Sequence, residues 1–176
     1  KEYENKIDAF TEKQKEYEGR LEMLKNDANK SANNMDVVSY SQAGEDCICT
    51  YVLRGLGYEP AQCSYLDLGA NHAKEISNTY FFYSKGARGV LVEANPDLIP
   101  ELQFYRKGDV IINKCITPHS GDKVKFYIMN GDGVSTCDEK SVNEIVKINS
   151  NLKINKTVEI DTITVNDILE KYFPNA

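Results

Sequence analysis

The stretch Tyr65-Leu66-Asp67-Leu68-Gly69-Ala70-Asn71 decides how this chain is read. An apolar, strand-like run that ends on Asp-x-Gly turns tightly, so that backbone N–H groups and a carboxylate line one space. A second run, Gly89–Val92, leads into Val92-Glu93-Ala94-Asn95-Pro96, and a third lies at Val110–Ile112. Between them, Ile76–Lys85 and Pro96–Lys107 carry helical spacing, with Asn95 as a cap and Pro96 in the first turn. Apolar strands alternating with helices predict an α/β unit whose parallel strands are buried on both faces.

Toward the carboxyl end, Val124, Phe126 and Ile128 alternate within Lys123–Met129, and Val158, Ile160 and Thr162 within Thr157–Ile163. These read as two strands of an antiparallel ribbon. Asn130–Thr136, with two glycines, is a turn. A last helix starts at Thr164, places Val165, Ile168, Leu169 and Phe173 at helical spacing, and stops at Pro174.

Toward the amino end the pattern is different. Tyr3, Ile7, Phe10, Gln14, Tyr17, Leu21, Leu24 and Ala28 alternate in steps of four and three, the heptad stripe of a helix that needs a partner. Self-association through residues 3–28 and docking within the molecule both satisfy it. The polar stretch Asn26–Asp36 favours turns. Residues 1–35 are therefore expected to form a coiled-coil-like helix and linker, and residues 36–176 the α/β domain. Because Lys1 is not methionine, the amino terminus is read as a cut.

At 176 residues, with 41% apolar and 27% charged residues, the chain suits one ordinary globular domain. A net charge of −6, without a basic run, argues against nucleic acid as partner. No apolar run is long enough to span a membrane and no leader begins the chain, so a soluble, cytoplasmic protein is expected. Cys47, Cys49, Cys63, Cys115 and Cys137 are odd in number and form no C-x-x-C pair; with two histidines beside them they predict reduced thiols and no metal site.

In an open parallel sheet, ligands bind beyond the carboxyl ends of the strands. That rule selects Asp67, Gly69 and Asn71 after the first strand and Glu93 after the second. Glu93 lies 24 residues beyond Gly69, the spacing of an acid that takes the two hydroxyls of a ribose. A D-x-G loop alone is more often a plain tight turn, and Glu93 alone a strand-end acid; together they favour a nucleoside. The single glycine argues against a dinucleotide such as NAD, whose pyrophosphate calls for G-x-G-x-x-G. His72 is either a substrate contact or a capping and packing residue.

Ser41-Gln42-Ala43-Gly44-Glu45-Asp46, then Tyr65 to His72, then Ser77-Asn78-Thr79-Tyr80, then Val92 to Pro96 make the chain resemble the FkbM-like methyltransferases, which use S-adenosylmethionine and often methylate sugar hydroxyls. The likeness extends from Tyr40 to Phe173 and takes in Arg106, Asp109 and Asn113, and Thr162 to Leu169. It implies a Rossmann-like class I methyltransferase fold, incomplete at the carboxyl end and preceded by the heptad helix. It further implies that Asp67, Gly69 and Asn71 hold the methionine part of S-adenosyl-L-methionine, that Glu93, with Asn95 beside it, holds the ribose, and that the turn after Asn113 reaches the adenine. Gln42, Glu45 and Asp46, with Ser41, would close over the cofactor, and Asn130–Thr136 would lie near the mouth of the site. Ala73 departs from the family, which has proline at this position, directly after His72. The family's next strand, which would lie against Tyr65–Leu68, is absent, so that strand is expected as an open edge. The activity implied is O-methylation of a saccharide or similar hydroxyl acceptor; the alternative is a non-catalytic assembly module built on a truncated methyltransferase fold.

Overall fold

A computed structural model describes residues 38–174. The heptad segment, residues 3–28, and the linker after it lie outside the described residues. Residues 39–174 form one compact unit.

Three parallel strands, β1 (Ser64–Leu68), β2 (Arg88–Val92) and β3 (Val110–Ile112), make a sheet in the order β1-β2-β3. They coincide with the three expected strands to within a residue. Both faces of this sheet are covered. On one, Leu91 and Ile111 pack with Ala70, Ala73, Ile99 and Leu102; on the other, Leu66, Val90, Val92 and Ile112 pack with Ile168, Tyr172 and Phe173. That double burial is why the strands read as continuous apolar runs. β1 is the outer strand, paired only with β2 among the described residues, and Leu68 is 45% exposed.

A second, mixed sheet follows. β4 (Cys115–Ile116) pairs parallel with β6 (Ile154–Ile163), and β6 pairs antiparallel with β5 (Lys123–Met129). The expected ribbon is present, and β6 is three residues longer at its start than its alternation showed. Phe126, Ile128 and Ile160 form its core with Ala94 and Cys115. The molecule is thus a mixed α/β structure.

The helices differ more from expectation. α1 (Glu45–Gly55) and α4 (Glu139–Ile148) carry no expected counterpart. α2 is confined to Tyr80–Ser84, not Ile76–Lys85, because Ile76 adopts φ 55°, a left-handed conformation that a β-branched residue enters only under constraint. α3 spans Ile99–Tyr105, not Pro96–Lys107. Asn95 caps a turn instead of that helix, accepting from the Asp97 N–H at 3.1 Å, and Pro100, not Pro96, stands in the first helical turn. α5 (Val165–Tyr172) begins as expected, with Thr164 Oγ1 accepting from the Asp167 N–H at 3.1 Å. No helix among the described residues is long and apolar enough to cross a membrane.

Candidate functional site

The turn after β1 is built by the backbone. Gly69 (φ 76°) and Asn71 (φ 53°) both take left-handed conformations, which glycine and asparagine tolerate best. The N–H groups of Gly69 and Ala70 donate to the Val92 carbonyl at 2.8 and 3.1 Å, so the turn folds over the end of β2. There it meets Glu93, a buried acid 6% exposed. Its Oε2 accepts from the Asn71 N–H at 2.8 Å and its Oε1 from the Asn95 N–H at 2.7 Å. One carboxylate therefore joins the turns that follow β1 and β2. Glu93→Gln would therefore disturb the fold as well as the site, since an amide N–H₂ cannot accept from a backbone donor.

Gly69, Asn71, His72, Glu93 and Asn95 line a cavity of about 550 Å³ between the ends of the two sheets. Leu98, Ile116, Phe126 and Met129 give the lining an apolar part, and Lys114 adds a cation. Asn155 also enters the lining, at the register shift where β6 slips past Ile128 and Met129 of β5. The loop Asn130–Gly133, with Ser135, completes the lining. Its tip reaches the β1 turn, with Asn71 Nδ2 donating to Asp132 Oδ1 at 2.9 Å. His72 sits between two acids, Nδ1 3.1 Å from Glu101 Oε2 and Nε2 3.4 Å from Asp132 Oδ1. The Glu101 hydrogen bond, aided by the charges of Asp132, Glu101 and Glu75 against partial burial, raises the His72 pKa above its ordinary value.

The remaining candidates lie elsewhere. Asp67 does not line the cavity; it accepts from Thr79 Oγ1 at 2.6 Å, and burial raises its carboxyl pKa despite that bond and the nearby Arg106. Beside it Arg106, fully buried, donates to Asp109 at 2.8 Å, to Tyr65 Oη and Thr79 Oγ1 at 3.0 Å, and to the Ala73 carbonyl at 3.1 Å. Tyr65 Oη in turn donates to Asp109, and the Tyr65 pKa is raised by burial and that bond. These residues form a closed polar core beneath the β1 turn.

Asp46 is buried at the start of α1, where burial alone would raise its pKa. Donation from Ser39 Oγ, Ser41 Oγ and the N–H groups of Tyr40 and Cys47 outweighs that and holds it below the ordinary carboxylate value. Glu45 accepts from the Ala43 N–H, and Gln42 is exposed. Neither they nor Asp46 line the cavity. Asn113 Nδ2 donates to the carbonyls of Glu93 and Ala94 at 2.8 and 3.2 Å, so it braces the end of β2, while its neighbour Lys114 reaches the cavity. Sequence reasoning missed Lys114, Asn155 and the apolar wall, because nothing in a strand's alternation says which inward side chains will border a hollow.

A second hollow of about 480 Å³, lined by Cys49, Leu53, Tyr58, Tyr65 and Phe82, is apolar and lacks convergent charged groups. No protein-family model, curated protein or solved structure matches the chain.

Proposed function

We propose that the cavity at the carboxyl ends of β1 and β2 binds S-adenosyl-L-methionine, and that the protein is an FkbM-like O-methyltransferase acting on a saccharide or similar hydroxyl compound. The observation that carries this reading is Glu93, a buried carboxylate that borders the cavity beside the open turn at Gly69. Each of its oxygens accepts one backbone N–H and keeps acceptor capacity for a hydroxyl, which suits a vicinal diol. No atom lies within 4 Å of where a Gly69 Cβ would be, so a ligand can approach the turn closely. Phe126, Met129, Ile116 and Leu98 offer an apolar wall for a flat base, and the volume falls within the usual range for small-molecule sites, about 300–1,000 Å³.

Bound S-adenosylmethionine would supply a methyl group on a sulfonium for in-line displacement. The chain's own part is alignment: Glu93 and the β1 turn fix the ligand, and the 130–133 loop limits water at the mouth. The carboxylates of Glu93 and Asp132 favour a cationic ligand.

A non-catalytic module is the second reading, and one observation favours it: both Glu93 oxygens already hold backbone donors, so the residue has a complete structural role. Calorimetric titration with S-adenosylhomocysteine separates the two. A dissociation constant of about 100 μM or tighter, with no heat from NADH, is expected of the methyltransferase; silence with S-adenosylhomocysteine at about 1 mM favours the module.

A further inference from the structure

Asp132 stands at the tip of a loop whose base is fastened independently of it. Asn130 donates its N–H to the Lys153 carbonyl and its Nδ2 to the Asn151 carbonyl, and it accepts from the Lys153 N–H. On the far side, Ser135 Oγ accepts from the Met129 N–H, and Thr136 exchanges backbone bonds with Tyr127. Between these anchors the tip, Gly131-Asp132-Gly133, meets the β1 turn through the Asp132 carboxylate, which is shared by Asn71 Nδ2 and His72 Nε2. His72 is itself oriented from behind: Glu101 on α3 takes its Nδ1 with Oε2 and the Ala73 N–H with Oε1.

We infer that Glu101, His72 and Asp132 form a proton-controlled latch that closes the 130–133 loop over the cavity, shut when His72 carries its proton and loosened when the proton leaves. Asn71 supplies one hydrogen bond to the same carboxylate that does not depend on the imidazole proton, so loss of the ion pair loosens the tip without freeing it. The charges around the imidazole are Glu101 from α3, Asp132 from the loop and Glu75 from its own turn, all acidic, while Glu93 and Lys114 line the same cavity. Lys74, the neighbouring cation, is turned away onto the rings of Tyr105 and Tyr80. Three acids against one imidazole agree in sign with the raised pKa. Its stabilisation is complete below the ordinary histidine pKa of about 6.5 and is lost as pH rises through the higher value of the folded protein. The consequence for ligand exchange rests on the cavity being a ligand site; the latch does not.

The test uses the full chain without ligand. The His72 Cε1–H resonance is titrated, and hydrogen exchange at the amides of residues 131–135 is compared at about pH 5.5 and about pH 8.5 after correction for intrinsic rates. The expected result is a midpoint above about 6.5 and protection that falls about two- to fivefold at the higher pH, the range for one partly exposed ion pair. Asp132→Asn, which keeps an acceptor for Asn71 and removes the charge, should lower the His72 midpoint and flatten the pH dependence; His72→Gln should flatten it as well. Equal protection at both pH values, a midpoint at or below the ordinary one, or an Asp132→Asn protein that keeps the pH dependence would each overturn the latch. S-adenosylhomocysteine plays no part in these readouts, so failure of the methyltransferase reading would show separately, in calorimetry.

Discussion

Glu93 has two duties that pull a mutational test in different directions. Glu93→Gln removes charge from a site proposed to hold a diol, and it also leaves a backbone donor of Asn71 or Asn95 facing an amide. The expected outcome is a loss of stability of about 1.5–3 kcal/mol in denaturant unfolding, alongside any loss of affinity, so binding must be read on the folded fraction. Arg106 offers a cleaner residue-scale test. Its guanidinium and the Asp109 side chain are both fully buried, and Arg106→Met would leave Asp109 with the Tyr65 hydroxyl and the Gly89 N–H but no counter-charge. Denaturant unfolding should show a cost of about 3–5 kcal/mol. Gly89 is needed for space: a Cβ there would fall 2.2 Å from the Tyr65 carbonyl oxygen of β1, a backbone atom that cannot yield cheaply. Gly89→Ala should therefore lower the unfolding midpoint by disturbing β1–β2 pairing, whereas Gly108→Ala meets the flexible side chain of Arg88 and should cost less.

Elements were legible in proportion to how simply they bury their side chains. β1, β2 and β3 are covered on both faces, which leaves an apolar run that reads directly as a strand. α1 went unread although Ile48, Tyr51, Val52 and Leu56 hold helical spacing, and the structure leaves those four more than half exposed while it buries Asp46 and Thr50. α4 went unread as well, although Val142, Ile145 and Val146 hold helical spacing; Val142 is the residue it buries. α2 read too long because Ile76 and Ser77 fit a helical spacing that the Ile76 backbone refuses. In the site, Gly69, Asn71 and Glu93 followed from strand-end position. The inward turn of Asp67, toward Thr79 and the Arg106 core, did not, since which face a strand's alternate residues take depends on which helices cover it. The α5 cap tests such element-level readings quantitatively: Thr164→Ala removes the acceptor for the Asp167 N–H and should cost about 1 kcal/mol by thermal or chemical unfolding.

At the scale of the whole molecule, the cavity exists because β3 leads through Asn113 and Lys114 into β4, so one chain segment passes from the first sheet to the second and leaves a hollow where their ends diverge. The reading of that hollow as a nucleoside site is the central claim, and a ligand titration followed by amide resonances tests it most directly. With S-adenosylhomocysteine added to the full chain, saturable shifts are expected at Gly69, Asn71, Glu93, Asn95, Met129 and Gly131, on both walls of the cavity. Absence of shifts at about 1 mM ligand, or shifts confined to the apolar hollow around Cys49, Leu53 and Phe82, would contradict it.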